Sequence, residues 1–189
     1  MHLFFDTETT GLPKDSKAPV SDSRNWPRLV QLAWLITDDQ GTEYKRAEYI
    51  IKPQGFAIPR EAVRIHGITT DRAQREGADL WAVLEEMMAD LAQALVLIAH
   101  NMDFDEKIVG AEFCRLGHPN HLEKKQKRCT MKSATYFCRL PGYHGYKWPS
   151  LTELHRKLFQ EDFVDQHTAM ADVRACARCY FELRRLGVL

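Results

Sequence analysis

Residues Leu3, Phe4 and Phe5 form an apolar run that ends abruptly in acid, with Asp6 and Glu8 two positions apart. An apolar run this short reads as a buried strand. Along a strand, successive side chains alternate between faces. If the strand persists to Glu8, both carboxylates point one way and Thr7 the other. Two adjacent carboxylates repel each other. They coexist when one is protonated or when a cation lies between them, and hard divalent cations such as Mg²⁺ take oxygen ligands of this kind. Taken alone, the pair could equally be an exposed acidic strand end, since Asp and Glu are common on surfaces.

The rest of the chain reads as a mixed α/β sheet. Thr9 to Pro13 turn, Lys14 to Pro27 is a polar loop, and Leu29 to Thr37 is a second strand. The turn Asp38-Asp39-Gln40-Gly41 leads to a third strand near Ala47 to Ile51, forming a hairpin. Asp79 caps a helix in which Leu80, Val83, Leu84, Met87, Leu91 and Leu95 recur at helical spacing. Leu95 to Ala99 follows as a buried strand, expected parallel because a helix precedes it. Asp103 to Leu116 reads as a helix stopped by Gly117, and Pro119 to Arg128 as a polar, basic loop. Two shorter helices fall near Met131 to Cys138 and Leu151 to Phe159. A last helix from about Ala169 to Leu186 carries Ala169, Val173, Cys176, Ala177 and Tyr180 on one stripe. A meander followed by alternating helices and strands implies a sheet with helices on its faces, and 189 residues suit one domain spanning 1–189.

The acids recur within longer motifs. FDTETTGL at residues 5 to 12, HNMDFD at 100 to 105 and HTAMAD at 167 to 172 occur in that order. Together they resemble the three motifs of the DEDDh 3′-5′ exonucleases, the family that includes the proofreading epsilon subunit of bacterial DNA polymerase III and the RNase T and oligoribonuclease enzymes. VRIHGITTD at residues 63 to 71 resembles a substrate-positioning segment between the first two motifs. The resemblance implies an α/β, ribonuclease H-like mixed five-stranded sheet flanked by helices. It also implies two divalent metal ions, Mg²⁺ or Mn²⁺, held by Asp6, Glu8, Asp105 and Asp172, with Asp6 bridging. His167 becomes the general base that takes a proton from the attacking water. Thr7, Thr9, Gly11, Leu12, His66, Asn101 and Phe104 are implied to contact the terminal nucleotide, with Leu12 against a base.

Asp103 competes with Asp105 for the acidic role of the second motif. The pattern places the acid directly after Phe104, which leaves Asp103 as the expected helix N-cap. Positions five apart do not share a helix face. If Asp172 faces the metals from the last helix, His167 must precede that helix, on a loop above the site.

The implied partner is a single-stranded nucleic acid 3′ end, DNA favoured over RNA. Within the same chemistry the alternative is an exoribonuclease. A non-catalytic nucleic-acid-binding module is the alternative of another class. The formal charge is zero, with 26 basic and 26 acidic residues. A protein that grips duplexes by charge alone is usually basic, so any attraction must be local, with bound metal cations as one candidate. Lys124, Lys125, Lys127 and Arg128 form one basic cluster, read either as a solvated loop or as an upstream phosphate contact. Tyr136, Phe137, Tyr143, Tyr146 and Trp148, with Lys147 and Arg139 interleaved, are read either as a stacking surface for single-stranded bases or, for most of them, as core packing and anchors of a loop over Pro141 to Pro149; the second is the expectation.

Cys176 and Cys179, with Cys114 near His118 and His121, raise a structural zinc site. The helical position of the pair favours reduced core thiols instead. Five irregularly spaced cysteines suit a cytoplasmic protein. The run Ala94 to Ala99 is far too short for a membrane span. No polymerase-binding tail is expected after the last helix.

Overall fold

The structure, a computed structural model, describes residues 1–163 and 168–189. Five strands form one sheet: β1 (His2–Thr9), β2 (Leu29–Thr37), β3 (Glu43–Ile50), β4 (Val96–Ala99) and β5 (Gln126–Cys129), in the order β3-β2-β1-β4-β5. β1 is central. It pairs antiparallel with β2 and parallel with β4, and β5 extends the parallel half. Every residue of β2 is buried. The helices are α1 (Arg60–His66), α2 (Thr70–Glu76), α3 (Leu80–Gln93), α4 (Met102–Arg115), α5 (Thr130–Ser133), α6 (Thr135–Cys138), α7 (Leu151–Phe159) and α8 (Ala169–Arg185).

Strand alternation divides the core into two layers. Leu3 and Phe5 of β1, with Leu32, Trp34 and Ile36 of β2, pack against α3 and α4. Phe4, Ala33, Leu35 and Ile98 point the other way, onto the α8 stripe of Ala169, Val173, Cys176, Ala177 and Tyr180. A fully buried Phe or Leu contributes roughly 1.5–3 kcal/mol, so this alternation fixes which way each polar residue of β1 must face.

Three expectations are corrected. Asp103 does not cap α4: the N-cap position is Asn101, in the left-handed region with φ 81° and without a side-chain cap, while Asp103 pairs with Lys132. The basic stretch is not a free loop. Lys127 and Arg128 lie in β5, the Lys125 ammonium donates to the Ala94 carbonyl (2.8 Å), and Lys127 meets Glu106 (2.6 Å). A charged strand suits a sheet edge, where charge blocks pairing with another chain. The aromatic stretch is not core: Tyr136, Tyr143, Tyr146 and Trp148 are exposed, and only Phe137 packs inward. Pro141–Gly142 and Gly145–Tyr146 pair there as a small hairpin, β6 and β7. Among the described residues, no helix is long and apolar enough to cross a membrane. Cys176 and Cys179 are buried free thiols within α8.

Candidate active site

β1 runs straight through both of its acids. Thr7 pairs with Leu32 and Glu8 with Gln31, and then the register slips so that Thr9 meets Leu29. Such a bulge bends a strand and re-aims the side chains beside it. Beyond it the Thr9 hydroxyl donates to the Gly11 carbonyl (2.6 Å), and Gly11 takes φ 147°, a backbone conformation open to glycine. Asp6 and Glu8 therefore share the α8 face, in the alternation set by Phe4.

The first turn of α8 brings Asp172 to them. Gln31, the cross-strand neighbour of Glu8, fixes this approach. Its amide oxygen accepts from the Ala169 backbone N–H (3.3 Å), and its amide nitrogen donates to Glu48 (2.9 Å). One carboxylate oxygen each from Asp6, Glu8 and Asp172 lies within 4.8 Å of the other two.

Asp105 reaches the same strand end from the opposite layer. It sits in the first turn of α4, buried, and accepts from both the Thr7 backbone N–H (3.1 Å) and the Thr7 hydroxyl (2.7 Å). Thr7 is thereby committed to Asp105, buried and facing away from the three-carboxylate cluster.

The four acids are electrostatically uncomfortable. Burial, and then the nearby charges of Asp105, Asp172 and Glu8, hold the Asp6 carboxyl well above its usual range. Burial and the Asp172 and Asp105 carboxylates push Glu8 up to about 8. Burial pushes Asp105 up to about 7, although the Thr7 hydrogen bonds pull the other way. Such a cluster needs protons or cations. Its donor set is oxygen only, which suits a hard divalent cation.

Other site residues fall around this cluster. A 150 Å³ cavity is lined by Asp6, Asp172, His100, Ser150, Leu151, Thr152 and Phe163. His100 escaped the sequence analysis, although it directly precedes Asn101. Its Nε2–H donates to the Pro149 carbonyl (3.0 Å), so Nδ1 accepts from the Thr130 hydroxyl (2.9 Å). Burial lowers its pKa to about 4, so the ring is neutral.

His66 ends α1. Its Nδ1 accepts from the Ile68 backbone N–H (3.1 Å), which leaves the proton on Nε2. That nitrogen is buried and, among the described residues, lacks a hydrogen bond of normal geometry, though the Thr9 backbone lies close enough to influence it. His66, Gln31 and Thr168 border a larger cavity of about 760 Å³. Leu12 stands 83% exposed, and Phe104 packs partly into the α4 core layer. Asn101 is half-buried in its left-handed turn, a backbone state that Asn tolerates better than most residues. His167 lies outside the described residues.

Gln31 and Glu112 were also missed by sequence reasoning. Glu112 is fully buried, and its one engaged oxygen accepts from Arg28 (3.0 Å), the Leu29 N–H (2.9 Å) and Arg115 (2.9 Å). It holds the long loop after the first motif against α4. Only chain-distant pairing reveals these two roles.

A mixed five-stranded α/β sheet with acids converging at the end of its central strand defines a nuclease domain of ribonuclease H-like fold. The chain belongs to the RNase_T exonuclease family, a DEDD-type 3′-5′ exonuclease family, whose model matches residues 3–180. It is 27% identical over 179 residues to the uncharacterized exonuclease CP81 of Escherichia phage 186, covering 91% of this chain and 82% of that one. Among solved structures it resembles E. coli exonuclease I in complex with a dA16 oligonucleotide, with TM-score 0.73 and 20% identity over 97% of this chain. It also resembles the zinc-bound form of the exonuclease I–ssDNA complex, with TM-score 0.72 and 22% identity over 98% of this chain. The chain spans 40% of the length of each of these exonuclease I chains.

Proposed function

We propose that this protein is a metal-dependent 3′-5′ exonuclease that hydrolyses the terminal phosphodiester of single-stranded DNA and releases nucleoside 5′-monophosphates. The observation that carries this proposal is the convergence of Asp6, Glu8 and Asp172 within 4.8 Å, with buried Asp105 acting on Asp6 from the opposite face of the sheet. These residues fit a pair of divalent cations, with Asp6, Glu8 and Asp172 about one and Asp105 serving the other. Mg²⁺ or Mn²⁺ bound there would neutralise the scissile phosphate and make water acidic enough to attack it.

The chain's own groups then divide the remaining work. His167 takes the proton from the attacking water, because imidazole titrates near neutral pH. The His66 Nε2–H, buried and without a normal partner among the described residues, donates to an oxygen of the terminal sugar or phosphate. Exposed Leu12 rests against the terminal base, and Thr9 and Gly11 shape the turn beneath it. Asn101 and Phe104 close the opposite wall. Thr7 holds Asp105 in place. Single-stranded DNA is favoured because similar solved structures of exonuclease I hold dA16 and dT13 oligonucleotides.

The test uses matched single-stranded DNA and RNA labelled at the 3′ end, incubated with Mg²⁺, Mn²⁺ or EDTA. Release of labelled mononucleotide from DNA with either cation, abolished by EDTA, is expected. Cleavage that survives EDTA, or preferential degradation of the RNA, would overturn the proposal.

A further inference from the structure

Tyr136, Tyr143, Tyr146 and Trp148 are 78%, 97%, 48% and 60% exposed, so four of the nine exposed large hydrophobic side chains among the described residues fall within 13 residues. Grouped exposed aromatics mark interaction surfaces far more often than isolated ones do. This group is held in a fixed shape. β6 and β7 pair, the Lys147 N–H donates to the Leu140 carbonyl (3.0 Å), and the Lys147 ammonium meets Glu153 (2.6 Å). The Tyr136 ring meets Tyr146 edge-on, with centroids 6.1 Å apart at 88°. Gly142 admits no side chain, because a Cβ there would lie 2.9 Å from the Lys147 nitrogen. The hairpin is therefore a tight, pre-shaped tip, and its aromatic rings stay largely exposed among the described residues.

Its placement and charge point to one kind of partner. Pro149 is buried, and its carbonyl accepts from His100, a wall residue of the cavity that also contains Asp6 and Asp172. Ser150 lines that same cavity, and Trp148 stands two residues earlier, at most about 7 Å away along the chain. From Met131 to Pro149 there are three cations, Lys132, Arg139 and Lys147, and no acid, in a chain whose total charge is zero. Lys132 and Lys147 are paired to acids outside the segment, while Arg139 is exposed and makes no ion pair among the described residues. Interleaved aromatic and basic groups bind single strands without sequence preference, because every base has a face to stack on.

We propose that the 136–148 hairpin is a stacking platform for bases of single-stranded DNA upstream of the 3′ end, with Trp148 and Tyr146 nearest the cleft and Tyr143 at the tip. The proposal rests on the exonuclease function proposed above, and it extends that function from the terminal nucleotide to the strand behind it.

The test compares two substrates and one binding titration with the full chain. A 3′-labelled oligodeoxythymidine 12-mer needs the platform. The p-nitrophenyl ester of thymidine 5′-monophosphate has no upstream base and needs only the carboxylate site. Trp148→Ala combined with Tyr146→Ala should raise KM for the 12-mer by about 5- to 150-fold and leave ester turnover unchanged. Trp148→Phe should keep the wild-type KM, since a ring remains. Tyr143→Ala, altering only the exposed tip, should raise KM without disturbing the fold and so guards against damage in the double variant.

Binding of the unlabelled 12-mer in EDTA should quench tryptophan emission, since Trp26 and Trp34 are buried and Trp81 is stacked on His118. Trp148→Phe should abolish that quench. A 12-mer KM within twofold of wild type in all the alanine variants, or a quench that survives Trp148→Phe, would overturn the platform. If wild type hydrolyses neither substrate, the exonuclease proposal fails while the quench still decides the platform.

Discussion

Without metal, this protein should lose stability as pH rises from 6.5 to 8.5, the reverse of what paired surface carboxylates produce. The sign follows from Glu8 and Asp105. In the unfolded chain they release their protons near 4.5 and 3.8, but in the folded protein burial and mutual repulsion hold those protons up to about 8 and about 7. A folded-state pKa above the unfolded value gives stability that is full below the unfolded pKa and drains away until the folded pKa is passed. Each pH unit costs about 1.36 kcal/mol per group. From pH 6.5 upward, about 1.5 further units remain for Glu8 and about 0.5 for Asp105, so the two together forfeit about 3 kcal/mol. Asp6, raised by the same causes, adds to the loss.

Other groups do not hide the effect in this window. His66 and His100 are held neutral by burial while their unfolded forms titrate at 6.5, so between pH 6.5 and 8.5 they offset the loss only weakly, together by under about 1 kcal/mol. Asp38, Asp39, Glu76 and Glu86 have lowered values and act below their unfolded range, under pH 5. For a chain of this length 3 kcal/mol is roughly 6–12 °C in Tm. The assay is a thermal melt in EDTA at half-unit pH steps, repeated with Mg²⁺ and Mn²⁺. A saturating cation should flatten the slope and raise Tm, adding about 2.7 kcal/mol at 100 times its Kd. Glu8→Gln should remove the larger part of the metal-free slope. A Tm in EDTA that stays level or rises between pH 6.5 and 8.5 would refute the electrostatic account of the cluster.

Three further outcomes test the division of labour. Asp6→Asn should abolish nucleotide release and Mn²⁺ binding together; calorimetry that still shows wild-type Mn²⁺ affinity would count against its central position. His167→Ala should lower turnover by roughly 10²–10⁴ while leaving metal affinity unchanged, and intact turnover would remove its role as base. Thr7→Val should cost about 1.5–3 kcal/mol in denaturant unfolding at pH 8.5, because it takes a hydrogen bond from a buried carboxylate. It should also raise the Asp105 pKa, moving the acid limb of the pH–turnover profile upward; a limb left in place would show that Thr7 does not tune Asp105.

Regular elements with strong periodicity were legible from sequence. β2 begins and ends where its apolar run does, and α8 buries the stripe its spacing predicted. The shared face of Asp6 and Glu8 followed from strand alternation once β1 proved long enough to contain both. The failures have physical reasons. β5 carries Gln126, Lys127 and Arg128 because an edge strand is half solvated, so no apolar signal marks it. α1 and α2 have seven residues each, too few to display a face, and α1 depends on tertiary contacts through buried Ala62 and His66. Tyr and Trp serve cores and surfaces alike, so aromatic content alone could not reveal that the hairpin stands outside the core. Gln31, Glu112 and His100 act through partners dozens of positions away, and no local pattern encodes them.

The position of the cluster bears on how a protein of zero net charge would act on a polyanion, as proposed above. A central strand is the one place where a sheet offers both of its faces within a few ångströms of the same backbone. β1 sends Asp6 and Glu8 toward α8, which answers with Asp172, and sends Thr7 toward α4, which answers with Asp105. Acids from both layers therefore meet at the strand end, where the register slips after Glu8. Strands and helices supply each carboxylate from rigid backbone, so the acids cannot relax apart when they ionise. Their repulsion is stored until a cation neutralises it. The same feature that destabilises the metal-free protein at high pH suits the site to divalent ions, and under the proposed function such ions would give the phosphate a positive surface that the amino-acid composition does not contain.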